Sequence, residues 1–182
     1  MDKIEVKIAG FGGQGILLIG QVLAYTAKLK GRNVSWLPSY GPQMRGGTAN
    51  CNVVISTKEI LSPLVIKPDF LIAMNKPSLL KFENDLNNNG IIFLNEDMVD
   101  SWDNKDNVKN VRIPADSTAI KLGDARIANM VMLGSLIKVT NLFSLNAVFD
   151  ALNYAIPKHR QNLIGLNIKA LERGYELGKL YQ

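Results

Sequence analysis

The sequence carries one cysteine, Cys51, and one histidine, His159, in 182 residues. A lone thiol excludes an internal disulfide framework. It also excludes a self-contained iron–sulfur cluster, which takes about four thiolates, and a cysteine-rich zinc site. A lone imidazole excludes His-paired metal motifs. No metal site and no catalytic residue is therefore assigned. Long apolar runs are missing too. The longest candidate starts at Ile16 and is broken by Gly20 and Gln21, short of the ~20 residues of a membrane span. The opening Met1-Asp2-Lys3-Ile4-Glu5 mixes charges, unlike a signal peptide. A soluble, cytoplasmic domain is the expectation, with neither nucleic acid nor membrane as partner.

Acidic residues are absent over one long stretch. Between Glu5 and Glu59 there is none, while Lys7, Lys28, Lys30, Arg32, Arg45 and Lys58 give that stretch a charge of +6. The whole chain carries +5, so the remainder is slightly negative. Such a zone suits an anionic ligand or an acidic partner, or it is a solvated basic surface.

What is present reads as alternating strands and helices. Ile4, Val6 and Ile8 alternate with Glu5 and Lys7, a strand signal over residues 4–9. Helix follows over 16–30, with Gly31 as its stop, then strands over 33–38 and 49–56. Shorter apolar runs at 69–74, 91–94 and 111–114 read as further strands, and 77–86 as a helix with Pro77 in its first turn. Residues 95–110 read as an exposed polar excursion. The remainder is helical: 117–122, 126–139, 145–156 and 158–180. The expected fold is α/β: a single domain over 1–182 with a three-layer α/β/α, mostly parallel Rossmann-like sheet and a helical C-terminal third.

Two glycine-rich segments carry the functional signal. Gly10-Phe11-Gly12-Gly13-Gln14-Gly15 fits G-x-G-x-x-G between a strand and a helix, where main-chain N–H groups and a helix N-terminus meet an anion. A dinucleotide site wants an acidic residue about 20 positions on, and the acid-free stretch offers none. A tight turn without a ligand stays open as the plain reading. The second segment, Ser39-Tyr40-Gly41-Pro42-Gln43-Met44-Arg45-Gly46-Gly47, is a loop whose main chain can approach a ligand. Arg45 adds a planar donor fork for phosphate or carboxylate. Asn75 and Lys76 follow a strand, where α/β sheets place ligands. Cys51 is expected as a buried small residue, His159 at the surface and Trp36 in the core. Asn129 is expected either to bond a loop or to pack.

Taken together, these segments resemble the gamma subunit of the 2-oxoacid:ferredoxin oxidoreductases. The residues are Gly10–Gly15, the run from Ser39 through Thr48-Ala49-Asn50-Cys51, Met74-Asn75-Lys76-Pro77-Ser78, Ile113-Pro114-Ala115, Ala128–Gly134 and Ala155–Lys158. The resemblance implies oxidative decarboxylation of a 2-oxoacid, 2-oxoglutarate favoured, within a complex that makes an acyl-coenzyme A. It places thiamine pyrophosphate, Mg²⁺ and the iron–sulfur clusters in alpha, beta and delta-type partner subunits, with ferredoxin or flavodoxin as acceptor. The isolated chain is then inactive, as a homodimer or aggregate. For this chain it implies a coenzyme A-binding role, with Gly12, Gly13, Gln14 and Gly15 holding an anionic group. Tyr40, Gly41, Arg45, Gly46, Gly47 and Asn75 would contact the ligand or the catalytic partner. A stand-alone NAD(P)-dependent oxidoreductase and a non-catalytic assembly module are the alternatives.

Overall fold

The computed structural model describes residues 2–40, 48–102 and 108–181, with Tyr40 described by its backbone alone. Its centre is a six-stranded sheet. The strands are β1 (Lys3–Phe11), β2 (Asn33–Tyr40), β3 (Thr48–Ser56), β4 (Phe70–Ala73), β5 (Ile91–Asn95) and β6 (Lys109–Ile113), in the order β2-β3-β1-β4-β5-β6. β1, β4, β5 and β6 run parallel to one another. β3 is antiparallel to both β1 and β2, so the sheet is mixed, with its parallel part running from β1 to the β6 edge. β4 is apolar throughout and β5 is apolar up to its last residue, Asn95, as strands covered on both faces are.

One face carries most of the core. Ile4, Val6 and Ile8 of β1 and Cys51, Val53 and Ile55 of β3 point to it. It is covered by α1 (Ile16–Leu29), α3 (Ala115–Lys121), α4 (Ala128–Thr140), α5 (Leu145–Ala155) and α6 (Ile164–Gly178). The other face has a smaller core of Ala9, Leu71, Ala73, Ile92 and Leu94, under α2 (Lys76–Phe82) and Val99. Lys7 is almost buried there, its Nζ 4.6 Å from the Phe82 ring centre and 3.8 Å from Asp85. That burial lowers its pKa.

The element boundaries shift in physically sensible ways. β1 and β2 each run past their expected ends because β3 pairs with them continuously from Thr48. Residues 158–163 form a 3-10 segment before α6 begins at Ile164. The polar 95–110 stretch is not a simple excursion: Asn95 is fully buried, and Val99 closes the smaller core.

Cys51 is fully buried in β3 and donates from Sγ to the Ile16 carbonyl at 3.5 Å. Burial pushes its thiol up to about 12. At pH 8 only about one thiol in ten thousand is then ionised. A disulfide reagent is expected to leave the folded chain unmodified at pH 8 and to titrate one thiol after denaturation. Because the unfolded thiol ionises near ~8.5, this group's contribution to stability is complete below that pH. It declines as pH rises toward 12.

Candidate functional site

β1 and β2 are both antiparallel to β3, so their C-terminal ends lie on one edge of the sheet. The C-terminal ends of β4, β5 and β6 lie on that same edge. The edge therefore collects the Gly12–Gly15 turn, the end of β2 at Tyr40, Met74-Asn75, Asn95 and the entry to α3.

The glycine turn is locked from several sides. Gln14 N–H donates to the Phe11 carbonyl at 3.1 Å, closing the turn. The Gln14 side chain folds back underneath. Its Oε1 accepts from Phe11 N–H at 2.7 Å and from Asn75 Nδ2 at 2.8 Å, and its Nε2 donates to the Met74 carbonyl at 3.2 Å. Asn75, buried, caps α2 by accepting from Ser78 N–H at 3.0 Å. Asn129, also buried, donates from Nδ2 to the Gly15 carbonyl at 3.1 Å. The local sequence permits this because Gly13 and Gly15 sit at φ +104° and +69°, where a side chain is disfavoured.

Gly15 caps α1 without a side-chain hydrogen bond, and the first turn of α1 holds no acid. The first-turn N–H groups of a helix lack intrahelical acceptors and sit in the positive end of its dipole. Beside the turn that leads into this helix is a cleft of about 220 Å³ lined by Gly13, Gln14, Met74, Asp116, Ala125, Arg126 and Ala128. Arg126 stands exposed at the rim and is bidentate to Asp124, with Nη2 to Oδ2 at 2.6 Å. The guanidinium holds the Asp124 carboxyl down to about 2. The carboxyl is therefore ionised above that value. Asp116 enters the cleft from α3 and accepts from Asn95 Nδ2. This arrangement can hold an anion by main-chain donors, with one guanidinium near and one carboxylate opposing.

The structure joins Gln14 and Asn75 by a hydrogen bond and ties Gly15 to Asn129, with Gly12 and Gly13 in the same turn. Tyr40 ends β2 on the same edge. With β3 between β2 and β1, it lies two inter-strand spacings of ~4.8 Å from β1. Gly41, Arg45, Gly46 and Gly47 lie outside the described residues. Asp116, Arg126 and Asn95 escape the sequence reading, because nothing local marks a polar residue after a strand as turned into a cleft. Asn129 is settled as a loop-bonding residue. His159 is exposed. Trp36 is half-buried rather than central. Among the described residues no group of three or more His, Cys, Asp or Glu could hold a metal. No helix among them is long and apolar enough to cross a membrane.

Fold and edge together define a glycine-turn α/β protein that differs from dinucleotide-binding domains in one decisive respect. There the second strand lies beside the first, and its end reaches the ribose. Here β3 occupies that place. The match of residues 5–177 to the model of the family described as pyruvate ferredoxin/flavodoxin oxidoreductase makes the membership plain, and the chain belongs to that family. It is 40% identical over 174 residues to the ketoisovalerate oxidoreductase subunit VorA of Methanothermobacter marburgensis, covering 94% of this chain and 36% of that one. It thus spans about a third of that longer relative. It is 39% identical over 180 residues to the 2-oxoglutarate synthase subunit KorC of the same organism, covering 95% of each. A solved gamma subunit of keto/oxoacid ferredoxin oxidoreductase from Geobacter sulfurreducens superposes with a TM-score of 0.83 at 28% identity, covering 97% of this chain and 99% of that one.

Proposed function

We propose that this chain works as the gamma subunit of a multi-subunit 2-oxoacid:ferredoxin (or flavodoxin) oxidoreductase, with its glycine edge taking the phosphates of coenzyme A. The observation that carries the reading is a coincidence at one sheet edge. The acid-free N-terminus of α1, with no side-chain cap, lies there, and β2 ends at Tyr40 on the same edge, five residues ahead of Arg45 in the sequence. Both belong to the segment that has six cations and no acid. The match to KorC over nearly its whole length supports 2-oxoglutarate as the 2-oxoacid.

In this reading the N–H groups of Gly12, Gly13 and Gly15 and of the first turn of α1 donate to phosphate oxygens. Gln14 and Asn75 act through their side chains, holding the turn open. Arg45, with Tyr40, Gly41, Gly46 and Gly47, contacts the ligand or the catalytic partner, and Arg126 adds a second guanidinium at the rim. Thiamine pyrophosphate, Mg²⁺ and iron–sulfur clusters belong to partner subunits. A lone buried thiol fits none of the cluster chemistry.

The test uses the assembled complex. Arg45→Ala is expected to weaken coenzyme A binding roughly thirtyfold, the loss of one charge-assisted contact of ~2 kcal/mol. Arg45→Lys is expected to recover part of it, because an ammonium lacks the bidentate fork. Gel filtration checks assembly separately. If Arg45→Ala assembles normally and its affinity is unchanged, the loop is a docking surface and the assembly-module reading takes its place.

A further inference from the structure

The two edges of the sheet are finished differently. At the β6 edge, Tyr181 Oη donates to the Arg112 carbonyl at 2.6 Å and accepts from the Arg112 N–H at 3.2 Å. A side chain thus occupies the outward ladder groups there. β2 has no such cover among the described residues.

Which groups of β2 face outward follows from the register. Asp69 N–H and Met74 N–H donate to the carbonyls of Glu5 and Ala9, so the odd-numbered residues of β1 bond β4 and the even-numbered ones bond β3. Cys51, Val53 and Ile55 of β3 are therefore tied to β1, and Asn50, Asn52 and Val54 to β2. Across from these last three stand Ser39, Leu37 and Ser35. The N–H and C=O of Val34 and Trp36, and the C=O of Pro38, are left pointing away from the sheet. No backbone hydrogen bond reaches them from the described residues. Pro38 has no N–H, so it ends the row of donors.

Beside this row lies a hollow of about 160 Å³, lined by Gln21, Ala24, Tyr25, Lys28, Val34 and Trp36. Lys28 lines it, and Lys30 and Arg32, exposed like Lys28, line two other hollows; none of the three has an ion pair among the described residues. The acids in this neighbourhood are Asp2, held by Lys58 at 2.8 Å, and Asp150, which lines an adjoining hollow with Lys30. The rim is net positive.

We infer that the β2 edge receives an extended strand from a non-identical polypeptide, whose apolar side chains enter the hollow beside Trp36 and whose flanking acids meet Lys28 and Arg32. This rests on the reading of the chain as a subunit of a larger complex. Main-chain bonds to Val34, Trp36 and Pro38 supply affinity, and the hollow selects the side chains. Because Pro38 ends the donors, the added strand is short, about four residues. A second copy of this chain is the poorer occupant, since it brings an equally net-positive rim.

The test is residue-resolved hydrogen exchange on the free chain and on the chain purified with its native partner subunits, the complex being checked for 2-oxoacid-dependent dye reduction. In the free chain, Val34 and Trp36 amides are expected to exchange fast, and Ser35 and Leu37 slowly. In the complex, Val34 and Trp36 are expected to slow about 100-fold. Lys28→Glu with Arg32→Glu, both at the surface, is expected to leave the free fold unchanged and weaken assembly about tenfold, more at low salt. An active complex in which Val34 and Trp36 exchange as in the free chain overturns the inference while the subunit reading stands. Slow exchange already in a dimeric free chain overturns it in favour of a second copy. If no complex forms and no activity is recovered, the subunit reading itself fails.

Discussion

Gly15→Ala is expected to lower the melting temperature by about 6–12 °C, and more than Gly13→Ala does. Both glycines adopt positive φ, which costs an alanine ~1–2 kcal/mol. Only Gly15 adds a collision. A Cβ there would lie 2.3 Å from Asn129 Nδ2, whereas a Cβ on Gly13 meets nothing within 4 Å. Overpacking of this kind costs a further ~1–3 kcal/mol, and in a chain of this size each ~1 kcal/mol moves the midpoint by ~2–4 °C. The same collision pushes Asn129 off the Gly15 carbonyl and tilts the first turn of α1, so affinity for coenzyme A in the complex is expected to fall at least tenfold. Gly13→Ala projects its methyl into open space, so its loss falls more on ligand binding than on stability. Thermal unfolding of both variants decides the point. Equal falls would mean that backbone strain alone matters and that the Asn129 contact does not. In the double variant Gly15→Ala with Asn129→Ala, part of the stability is expected to return.

The second large effect lies between α4 and α6. A Cβ on Gly174 would stand 1.9 Å from the Val131 carbonyl oxygen, and one on Gly134 would stand 2.1 Å from that of Leu171. Both neighbours are helix backbone, which cannot rotate aside. Gly174→Ala therefore forces the helices apart and loosens Val131, Leu133 and Leu171 in the main core. A cost of ~3 kcal/mol is expected, with a fall of about 6–12 °C in melting temperature. Gly165→Ala, in the same helix and with nothing within 4 Å of its Cβ, is the control. It is expected to be neutral or to stabilise by up to ~1 kcal/mol, because alanine is the better helix former. If Gly174→Ala unfolds at the temperature of the unsubstituted chain, the close α4–α6 contact does not exist in solution.

The C-terminal third shows the limits of local reading. Its helices follow from apolar spacing, yet nothing in the spacing says that Gly174 lies against Val131 and Gly134 against Leu171. Those contacts join distant residues, and a glycine inside a helix reads locally as a weakness. The 95–110 stretch shows the same limit in reverse. Its composition is polar, but Asn95 is buried because its side chain is fully engaged. It reaches the Met74 carbonyl and Asp116, and it accepts from the Ala115 N–H at 3.3 Å. Polar residues that bond one another across strand ends look in sequence like residues that prefer water.

The sequence by itself determined the strands and helices, the glycine turn at the head of α1 and the acid-free basic zone. These depend on composition, on periodicity and on steric rules that act within a few residues. Only the tertiary structure decided that β3 returns between β2 and β1, which removes the dinucleotide geometry and leaves β2 as an open edge. It alone brought Gln14, Asn75 and Asn129 together around the turn and set Asp116 and Arg126 at the cleft. The physical reason is that strand order and side-chain networks are fixed by pairing between distant segments. Burying the core selects that pairing, and no local pattern encodes it.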